Sequence, residues 1–464
     1  MKKIRVGYLP LYIKLYDDAD PHWRDPMVSC MNTLIAMVES QGIEVVRADE
    51  VCRVKAEFDR AAKKFNDAGV DAVITQHLAY SPSLESIDAL LSLDAPIVVF
   101  DTTPDYRLIA AAGYKDCIMD NHGIHGVQDM CSLLKRHRKP YYLCVGHALH
   151  SEVVAELAGL CRAAAARSAY RTARVGSVGG SFTGMGDFLI SDERYRRDIG
   201  AEVRRMTPEA VQTYLAEVTE AEIDAELAYD RSHYNVEVRQ ETEYRAAARS
   251  GLAVRKWMAA EGLTACTVNF LTLDECGLPK MPFVECCKIM ERGLGYAGEG
   301  DVLTAGLVGA LMQVYPDTAF TEMFCPDWEQ DVILLSHMGE SNPRLARWKP
   351  IVADAPFNYN SCGDTVALYT CFRPGRAVYV NLAPMEDRFT LILSEVELLD
   401  AGLERGVYRY ATQGWMKPCK PLPRFLKEYS LAGGTHHSAL VYGAALAELE
   451  AFGRMMGFDV TVIR

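Results

Sequence analysis

The fold class is set by residues 72–101, AVITQHLAYSPSLESIDALLSLDAPIVVFD. An apolar run at Ala72–Thr75 is followed by a segment with helical spacing at Ser83–Leu93 and by a second apolar run at Ile97–Asp101. The same alternation of strand and helix patterns continues on both sides of this stretch, through about the first 170 residues. Because parallel strands are joined by crossover helices, the alternation predicts an α/β architecture with a parallel sheet.

Two changes of pattern divide the 464 residues into three predicted domains. The first is the α/β domain of residues 1–170, and a strand pattern at Ala173–Val178 opens a second α/β domain, residues 171–318. Beyond it, short strand patterns with turns between them, such as Ala377–Leu382, predict a mostly β domain of barrel type at residues 319–464.

The composition is that of an ordinary globular protein, with 49% apolar and 24% charged residues. Acidic residues outnumber basic ones by 62 to 49, and the resulting net charge of −13 argues against a general nucleic-acid binder. The fourteen cysteines form no C-x-x-C unit, so we expect buried free thiols in a reducing compartment rather than a zinc ribbon or a thioredoxin-like motif. A charged N-terminus and the lack of a run of about 18 apolar residues predict a cytoplasmic protein without a membrane segment.

A glycine-rich segment, GGSFTGMG at residues 179–186, follows the strand pattern that opens the second domain. Its composition is similar to that of a phosphate loop, but it lacks the full G-x-G-x-x-G spacing, and no Gly-Lys-Ser/Thr sequence occurs. The residues after it, 188–191, do not have the pattern of a helix. We therefore predict a turn-rich segment rather than a nucleotide site.

Two segments carry carboxylates or imidazoles beside glycine. GYAGEGD at residues 295–301 places Glu299 and Asp301 where a helix pattern begins, and the simplest interpretation is that they complement the helix dipole. Glu322 and His337 lie around the next strand patterns, and His337 comes directly after an apolar stretch. A strand end of this kind holds functional groups as well as hydrogen-bonded structural histidines.

A histidine pair forms the third candidate, His436 and His437 in GGTHHS at residues 433–438. It directly precedes a predicted last helix, Ser438–Met456. Because the positive end of a helix dipole disfavours a protonated imidazole, both rings are expected to be neutral, the form that binds metals. Helix capping with imidazoles that face solvent is an equally good interpretation.

Together these segments offer two carboxylates and two imidazoles, those of Glu299, Glu322, His337 and His437. Mixed oxygen and nitrogen ligation suits a six-coordinate ion of the Mn²⁺ type, with positions open for substrate oxygens, better than a closed tetrahedral zinc site. No spacing rule requires the four side chains to meet, so the residues alone make this metal site a hypothesis.

The same segments resemble, in chain order, the active-site segments of L-arabinose isomerases. The matching motifs are Gly295–Asp301, Phe320–Glu322, Ser336–Glu340 and Gly433–Ser438. Weaker likeness extends over nearly the whole chain, at His77 with Tyr80-Ser81-Pro82, Asn121 with His125-Gly126, Val145-Gly146-His147 and Asp459–Ile463. On these ordered motifs the chain is identified as a member of the L-arabinose/L-fucose isomerase superfamily.

The resemblance implies a Mn²⁺-dependent aldose–ketose isomerase, with Co²⁺ or Mg²⁺ as alternative ions. The implied metal ligands are Glu299, Glu322, His337 and His437. Moving hydrogen from C2 to C1 of an open-chain sugar needs a base, a group that returns the proton and stabilisation of charge on O1 and O2. Glu299 and Glu322 are the candidate acid/base pair, and a bound divalent ion would stabilise the enediolate.

The implied fold has a Rossmann-like N-terminal domain, a central α/β domain and a C-terminal, mostly antiparallel β-barrel. The implied assembly is a homo-hexamer with active sites between subunits. Tyr80 and His125 would then approach the site of a neighbouring subunit, and His436 would hydrogen-bond a sugar oxygen.

Two departures from the family concern the substrate. Arabinose isomerases carry Gly-Ser-Gln-His-Leu-Tyr-Gly after the first strand, with the glutamine at the sugar, whereas this chain has GYLPLYIKLY at residues 7–16. They also continue beyond the terminal strand, whereas this sequence ends at Arg464. We therefore expect a different pentose, a hexose or a 6-substituted hexose in place of L-arabinose.

Two other functions use the same residues. One is a sugar-binding protein that kept the fold and lost turnover. The intact set of candidate metal ligands argues against it, since a loss of activity usually removes such ligands first. A metal-dependent epimerase would use the same two carboxylates and return the proton to C2, so its products would distinguish it from an isomerase.

Overall fold

The computed structural model describes residues 3–108, 114–400 and 409–464. Contacts within the chain divide it into two compact units, which we call the N-terminal unit, Lys2–Ser168, and the C-terminal unit, Ala169–Arg464. The three predicted domains stay a prediction.

The N-terminal unit is an α/β structure. Its strands are β1 (Ile4–Leu11), β2 (Ile43–Arg47), β3 (Ala72–His77), β4 (Ile97–Asp101) and β5 (Tyr141–Val145). Its helices are α1 (Lys14–Ala19), α2 (Asp25–Glu39), α3 (Lys55–Ala68), α4 (Ser83–Leu91), α5 (Tyr114–Asn121), α6 (Ile124–Arg136) and α7 (Val153–Arg171), whose last residues, from Ala169, belong to the C-terminal unit. The five strands form one parallel sheet in the order β2-β1-β3-β4-β5, which confirms the predicted parallel sheet.

A buried histidine lies at the carboxyl end of β3. His77 is only 4% exposed, and neither of its ring nitrogens has a hydrogen-bond partner among the described residues. Gly126 is packed against the ring, since a Cβ at this position would lie 2.5 Å from His77 Cδ2. Burial lowers the pKa of His77 to about 3, because the charged imidazolium would lose its hydration.

The C-terminal unit contains the remaining strands and helices. Its strands are β6 (Arg174–Val178), β7 (Glu202–Arg205), β8 (Asn235–Val236), β9 (Ala265–Val268), β10 (Gly295–Gly298), β11 (Thr318–Asp327), β12 (Val332–Ser336), β13 (Ile351–Ala355), β14 (Thr365–Tyr369), β15 (Gly375–Pro384), β16 (Phe389–Leu398), β17 (Gly414–Pro418), β18 (His437–Tyr442) and β19 (Asp459–Val462). Its helices are α8 (Asp192–Arg194), α9 (Pro208–Glu217), α10 (Glu220–His233), α11 (Glu241–Ala260), α12 (Leu273–Cys276), α13 (Phe283–Glu291), α14 (Val302–Met312), α15 (Leu422–Leu431) and α16 (Leu446–Met456).

Two sheets of this unit position the candidate site. A parallel sheet has the order β10-β9-β6-β7, and a second sheet runs β15-β18-β11-β12-β17-β16 and closes because β16 also pairs with β15. All six of these pairings are antiparallel, so the second sheet is a closed six-stranded barrel. This architecture confirms the predicted second α/β region followed by an antiparallel barrel.

Helix α14 packs against both sheets, touching β10 and β9 on one side and β11 and β18 on the other. All eleven of its residues are buried, which explains why its sequence is apolar around the whole helix. The approach to β10 is close, because a Cβ at Gly295 would overlap the Ala305 carbonyl oxygen. Glycine is therefore required at this position.

The predicted helix Ser438–Met456 is wrong in its first part. Residues 437–442 form β18, which lies between β11 and β15 in the barrel, and the helix begins only at Leu446. The run Ala439-Leu440-Val441-Tyr442 is buried, so strand pairing in the barrel outweighs its continuity with the helical pattern.

All fourteen cysteines are free, as predicted. Eight of them are buried, but Cys325 and Cys419 are exposed, so the expectation that the thiols are buried holds only for the majority. In the described part of the chain, no helix combines the length and apolar character needed to cross a bilayer.

The neutral state of His77 makes stability depend on pH. Its pKa is about 3 in the folded chain and about 6.5 when exposed, so the unfolded state alone takes up a proton as the pH falls from 6.5 towards 3. The free energy of unfolding should therefore be highest above pH 6.5 and fall by about 1.4 kcal/mol per pH unit below it, or about 2 kcal/mol at pH 5.

Urea unfolding at pH 7 and pH 5 should show a smaller loss of unfolding free energy for His77→Gln than for the wild type. The exposed His233, changed to Gln, serves as the control and should keep the wild-type loss.

Candidate active site and metal centre

The candidate site lies in the C-terminal unit, where the carboxyl edge of the parallel sheet meets three neighbouring barrel strands. Glu299 directly follows β10, Glu322 lies in β11, His337 directly follows β12 and His437 begins β18. Because β11 is paired with β12 and β18, Glu322 lies opposite both Ser336 and His437 in the strand register. Barrel closure thus brings together residues that are far apart in sequence.

Three of the four predicted ligands converge. Glu299, His337 and His437 each offer one ligand atom, and these atoms all lie within 4.8 Å of one another. Glu299 Oε2 is 3.4 Å from His437 Nε2 and 3.6 Å from His436 Nε2. Glu322 is not part of this set of three, although it is the cross-strand neighbour of His437.

A buried carboxylate lies behind each of the two imidazoles. His437 Nδ1 donates to Asp301 Oδ2 at 3.1 Å, and His337 Nδ1 donates to Glu340 Oε2. Glu340 is itself fixed by the Tyr296 hydroxyl, which donates to its Oε1 at 2.5 Å. Carboxylates in this position set the tautomer of metal-binding histidines, because they leave Nε2 as the nitrogen with a free lone pair.

The donor atoms fit a metal ion. His437 Nε2 is buried and has no hydrogen-bond partner within the described ranges, although it faces the carboxylate of Glu299. A buried polar atom without a partner is costly, and a cation bound by this nitrogen and by Glu299 would satisfy both groups. One carboxylate and two imidazoles form a donor set that suits a divalent transition metal.

The backbone around Glu299 is tightly constrained. Glu299 has a φ of 62°, an uncommon conformation for a residue with a side chain, and Gly300 follows with a φ of 81°. A Cβ at Gly298 would lie 2.7 Å from His337 Cε1, so glycine allows the imidazole to approach the strand. Unusual backbone of this kind persists where surrounding contacts fix it, and it often marks functional sites.

The environment shifts the pKa values of the two predicted catalytic carboxyls in opposite directions. Burial acts to raise the pKa of Glu299, but the neighbouring imidazoles of His436, His437 and His337 outweigh it and lower the pKa well below its usual range. The pKa of Glu322 is raised, because burial there outweighs the nearby imidazoles. Paired titratable groups with opposed shifts are typical of acid/base sites.

The reason given for a neutral histidine pair, a helix directly after it, is wrong, since strand β18 follows the pair. Burial acts to lower the pKa of His436, but Asp187 and Glu299 outweigh it and raise the pKa to about 10. Burial likewise opposes a raised pKa at His437, yet Asp301 and Glu299 raise it. Neighbouring carboxylates therefore determine the charge of both rings.

Several residues of the site have no role that their sequence motifs alone predicted. Glu340 stood within the quoted motif three residues after His337, so its spacing could have marked it as a partner. Asp187 and Phe188, which contact the histidine pair, are about 250 residues away from it in sequence and carried no such signal.

Two predicted substrate-binding residues lie in the N-terminal unit. The rings of Tyr80 and His125 stack in parallel, with centroids 4.9 Å apart and planes within 4°. The Tyr80 hydroxyl donates to Asp129 Oδ2 at 3.2 Å. The structure thus brings these two residues together, and their contribution to a neighbouring subunit's site stays a prediction.

Comparison with known proteins matches most of the chain to one family. A model of the L-arabinose isomerase central domain matches residues 194–316, and a model of the L-arabinose isomerase C-terminal domain matches residues 317–459. The L-arabinose isomerase of Aeromonas salmonicida is 26% identical over 400 residues, which cover 83% of this chain and 79% of the relative. That of Geobacillus kaustophilus is 27% identical over 402 residues, covering 84% and 80%.

The two domain matches adjoin each other and together span more than half of the chain, including every residue of the candidate metal centre. The predicted motifs, the closed barrel and these matches agree, and the chain belongs to the L-arabinose isomerase family.

Proposed function

We propose that the protein is a metal-dependent aldose–ketose isomerase that converts a pentose or hexose through an enediol intermediate. The observation that carries this proposal is the convergence of Glu299, His337 and His437, with a buried carboxylate behind each imidazole. Family membership supports the reaction class, since the relatives are named L-arabinose isomerase.

We propose that the metal is Mn²⁺, with Co²⁺ or Mg²⁺ as alternatives, held by Glu299, Glu322, His337 and His437. Glu322 completes the set by a change of side-chain conformation, because its backbone already lies opposite His437 in the barrel. When bound, the ion would polarise the O1 and O2 oxygens of the open-chain sugar.

The protein's own residues move the proton. In the proposed reaction one of the carboxylates of Glu299 and Glu322 removes the proton from C2, and a carboxyl of the pair returns a proton at C1, while the proton of the O2 hydroxyl passes to O1. The opposed pKa shifts of the two carboxyls support a division of roles between base and acid. His436, whose Nε2 is 3.6 Å from Glu299 Oε2, donates a hydrogen bond to a sugar oxygen.

The substrate is proposed to be a pentose or hexose other than L-arabinose. The residues that would act on C1 and C2 lie in the C-terminal unit, whereas the segment GYLPLYIKLY, which departs from the family's sequence, lies in the N-terminal unit. In this proposal, a difference confined to that segment changes which sugar is accepted as substrate and leaves the type of reaction the same.

We propose a cytoplasmic homo-hexamer in which Tyr80 and His125 complete the site of a neighbouring subunit. Light scattering on the purified protein should give the mass of six chains. A monomer in solution would contradict the shared site without affecting the metal ligands.

Mn²⁺ binding can be measured without a substrate. After removal of metals with a chelator, calorimetric titration should show one Mn²⁺ per chain. Asp301→Asn should weaken binding about 10- to 100-fold, since the amide no longer fixes the tautomer of His437, and His437→Gln should weaken it further. The exposed His233, changed to Gln, is the control and should bind like the wild type. Unchanged affinity of His437→Gln would exclude this metal centre.

Turnover is tested with Mn²⁺ restored and with L-arabinose, D-galactose, L-fucose, D-arabinose and 6-substituted glucoses as substrates. We expect ketose formation from at least one of them, and only with metal. An epimer as the product would indicate an epimerase, and tight Mn²⁺ binding without any product would favour a sugar-binding role.

Glu299→Gln should lower kcat at least about 100-fold, because an amide cannot accept the proton from C2. The exposed Glu329, changed to Gln, removes the same charge elsewhere on the C-terminal unit and should leave kcat unchanged. Near-wild-type turnover of Glu299→Gln would remove this residue from the mechanism.

A further inference from the structure

The glycine-rich segment that does not fit a nucleotide site lies at the candidate active site. It follows β6, a central strand of the parallel sheet, and so leaves the same sheet edge at which Glu299 follows β10. It has no regular secondary structure up to residue 191, as the sequence predicts. Gly179, Gly180 and Gly184 have positive φ values, so these glycines allow the chain to turn back over the site.

Asp187, just after the glycines, makes two hydrogen bonds to one histidine. Its Oδ2 accepts from His436 Nδ1 at 2.6 Å and from the His436 backbone N–H at 3.0 Å. The first bond fixes the rotation of the ring, and the second fixes the peptide that bears it. His436 Nε2 is consequently the nitrogen directed towards Glu299.

The next residue, Phe188, contacts the other member of the pair. Its ring is buried and lies parallel to that of His437, with centroids 5.1 Å apart and planes within 9°. Two neighbouring residues of one segment thus hold the two neighbouring histidines, each by a different interaction. A stacked ring restricts rotation about the last side-chain bond of His437, which the Asp301 hydrogen bond also fixes.

The start of the same segment holds the turn that carries the catalytic carboxylate. The Phe182 N–H donates to the Glu299 carbonyl oxygen at 3.0 Å, and the Ser181 hydroxyl donates to the Gly300 carbonyl oxygen at 3.4 Å. A Cβ at Gly300 would overlap the Gly180 carbonyl. Residues 180–188 therefore contact both the Glu299 turn and the histidine pair.

We infer that Asp187 and Phe188 are positioning residues, which orient His436 towards the sugar and His437 towards the metal. This inference rests on the proposed function, because orientation is useful only if the two rings act on a ligand. The carboxylate of Asp187 matters as an acceptor of charge-assisted hydrogen bonds, which are stronger than bonds to a neutral acceptor. Like Asp301 and Glu340, Asp187 accepts a hydrogen bond from the Nδ1 of a histidine, but its partner, His436, is not one of the proposed metal ligands.

Substitution of the two residues should have different effects, because Asp187 hydrogen-bonds His436, whereas Phe188 stacks on His437 and only packs at an angle against His436, with centroids 5.5 Å apart. Asp187→Ala should lower kcat about 10- to 100-fold and leave the Mn²⁺ dissociation constant within about twofold of the wild type. Asp187→Asn keeps an oxygen acceptor and should recover part of the lost kcat. Phe188→Leu should weaken Mn²⁺ binding, since the His437 ring loses its stacked neighbour.

The position of His436 can also be followed without turnover. The rate at which diethyl pyrocarbonate modifies this histidine, measured by peptide mass mapping, should rise in Asp187→Ala because its ring is no longer held. Asp192→Ala is the matched control: this half-buried aspartate begins α8 directly after the segment, pairs with Arg205 of β7, and should change neither kcat nor the modification rate.

The outcomes separate the inference from the proposed function. A wild-type protein that forms no ketose would contradict the proposed function, while the modification rate and the Mn²⁺ affinity would still test the positioning. Wild-type kcat and an unchanged modification rate in Asp187→Ala would exclude Asp187. A loss of Mn²⁺ affinity parallel to the loss of kcat would also overturn its assignment to His436. Unchanged Mn²⁺ affinity in Phe188→Leu would exclude Phe188.

Discussion

The carboxylate of Asp301 links the fold of the C-terminal unit to its candidate metal centre. The side chain is completely buried, and its Oδ1 caps helix α14 by accepting from the Thr304 N–H at 2.8 Å, while Oδ2 accepts from His437 on β18. A cap of this kind stabilises a helix by about 1 kcal/mol. Without it, both the helix N–H and His437 Nδ1 would be buried and unpaired, which costs about 1–3 kcal/mol for each group. One side chain thus contributes both to the stability of helix α14 and to the geometry of the candidate site.

The turn that contains Asp301 also fixes the backbone of Glu299. The Asp301 N–H donates to the Gly298 carbonyl oxygen, and the Glu299 N–H donates to that of Val268 in β9. Glu299 lies between these two fixed points, which is why it can keep a positive φ that would be strained in a free loop. The backbone that carries the Glu299 carboxylate is thus held by its hydrogen bond to β9 and by the turn that leads into helix α14.

The sequence predicted those features that depend on local patterns. The alternation within residues 72–101 was sufficient for the parallel sheet, whereas the convergence of Glu299, His337 and His437 was implied only by the resemblance of the four ordered motifs to the family. Prediction from the sequence was wrong or silent where a residue distant in the chain determines the local structure or contact. Residues 438–442 continue a helical pattern but are paired on both sides in the barrel, and Asp187 meets His436 only because β6 ends at the same sheet edge as β10.

Under the proposed function, the reaction class and the choice of sugar would depend on different parts of the chain. The candidate catalytic and metal-binding residues all belong to the C-terminal unit, which both domain models match. The segment GYLPLYIKLY instead forms the end of β1 and the start of α1, and Tyr12 within it is fully buried, so the change from the family's sequence is built into the N-terminal unit. Because this segment and the candidate catalytic carboxyls belong to different units, the proposed change of sugar leaves the proposed reaction unchanged.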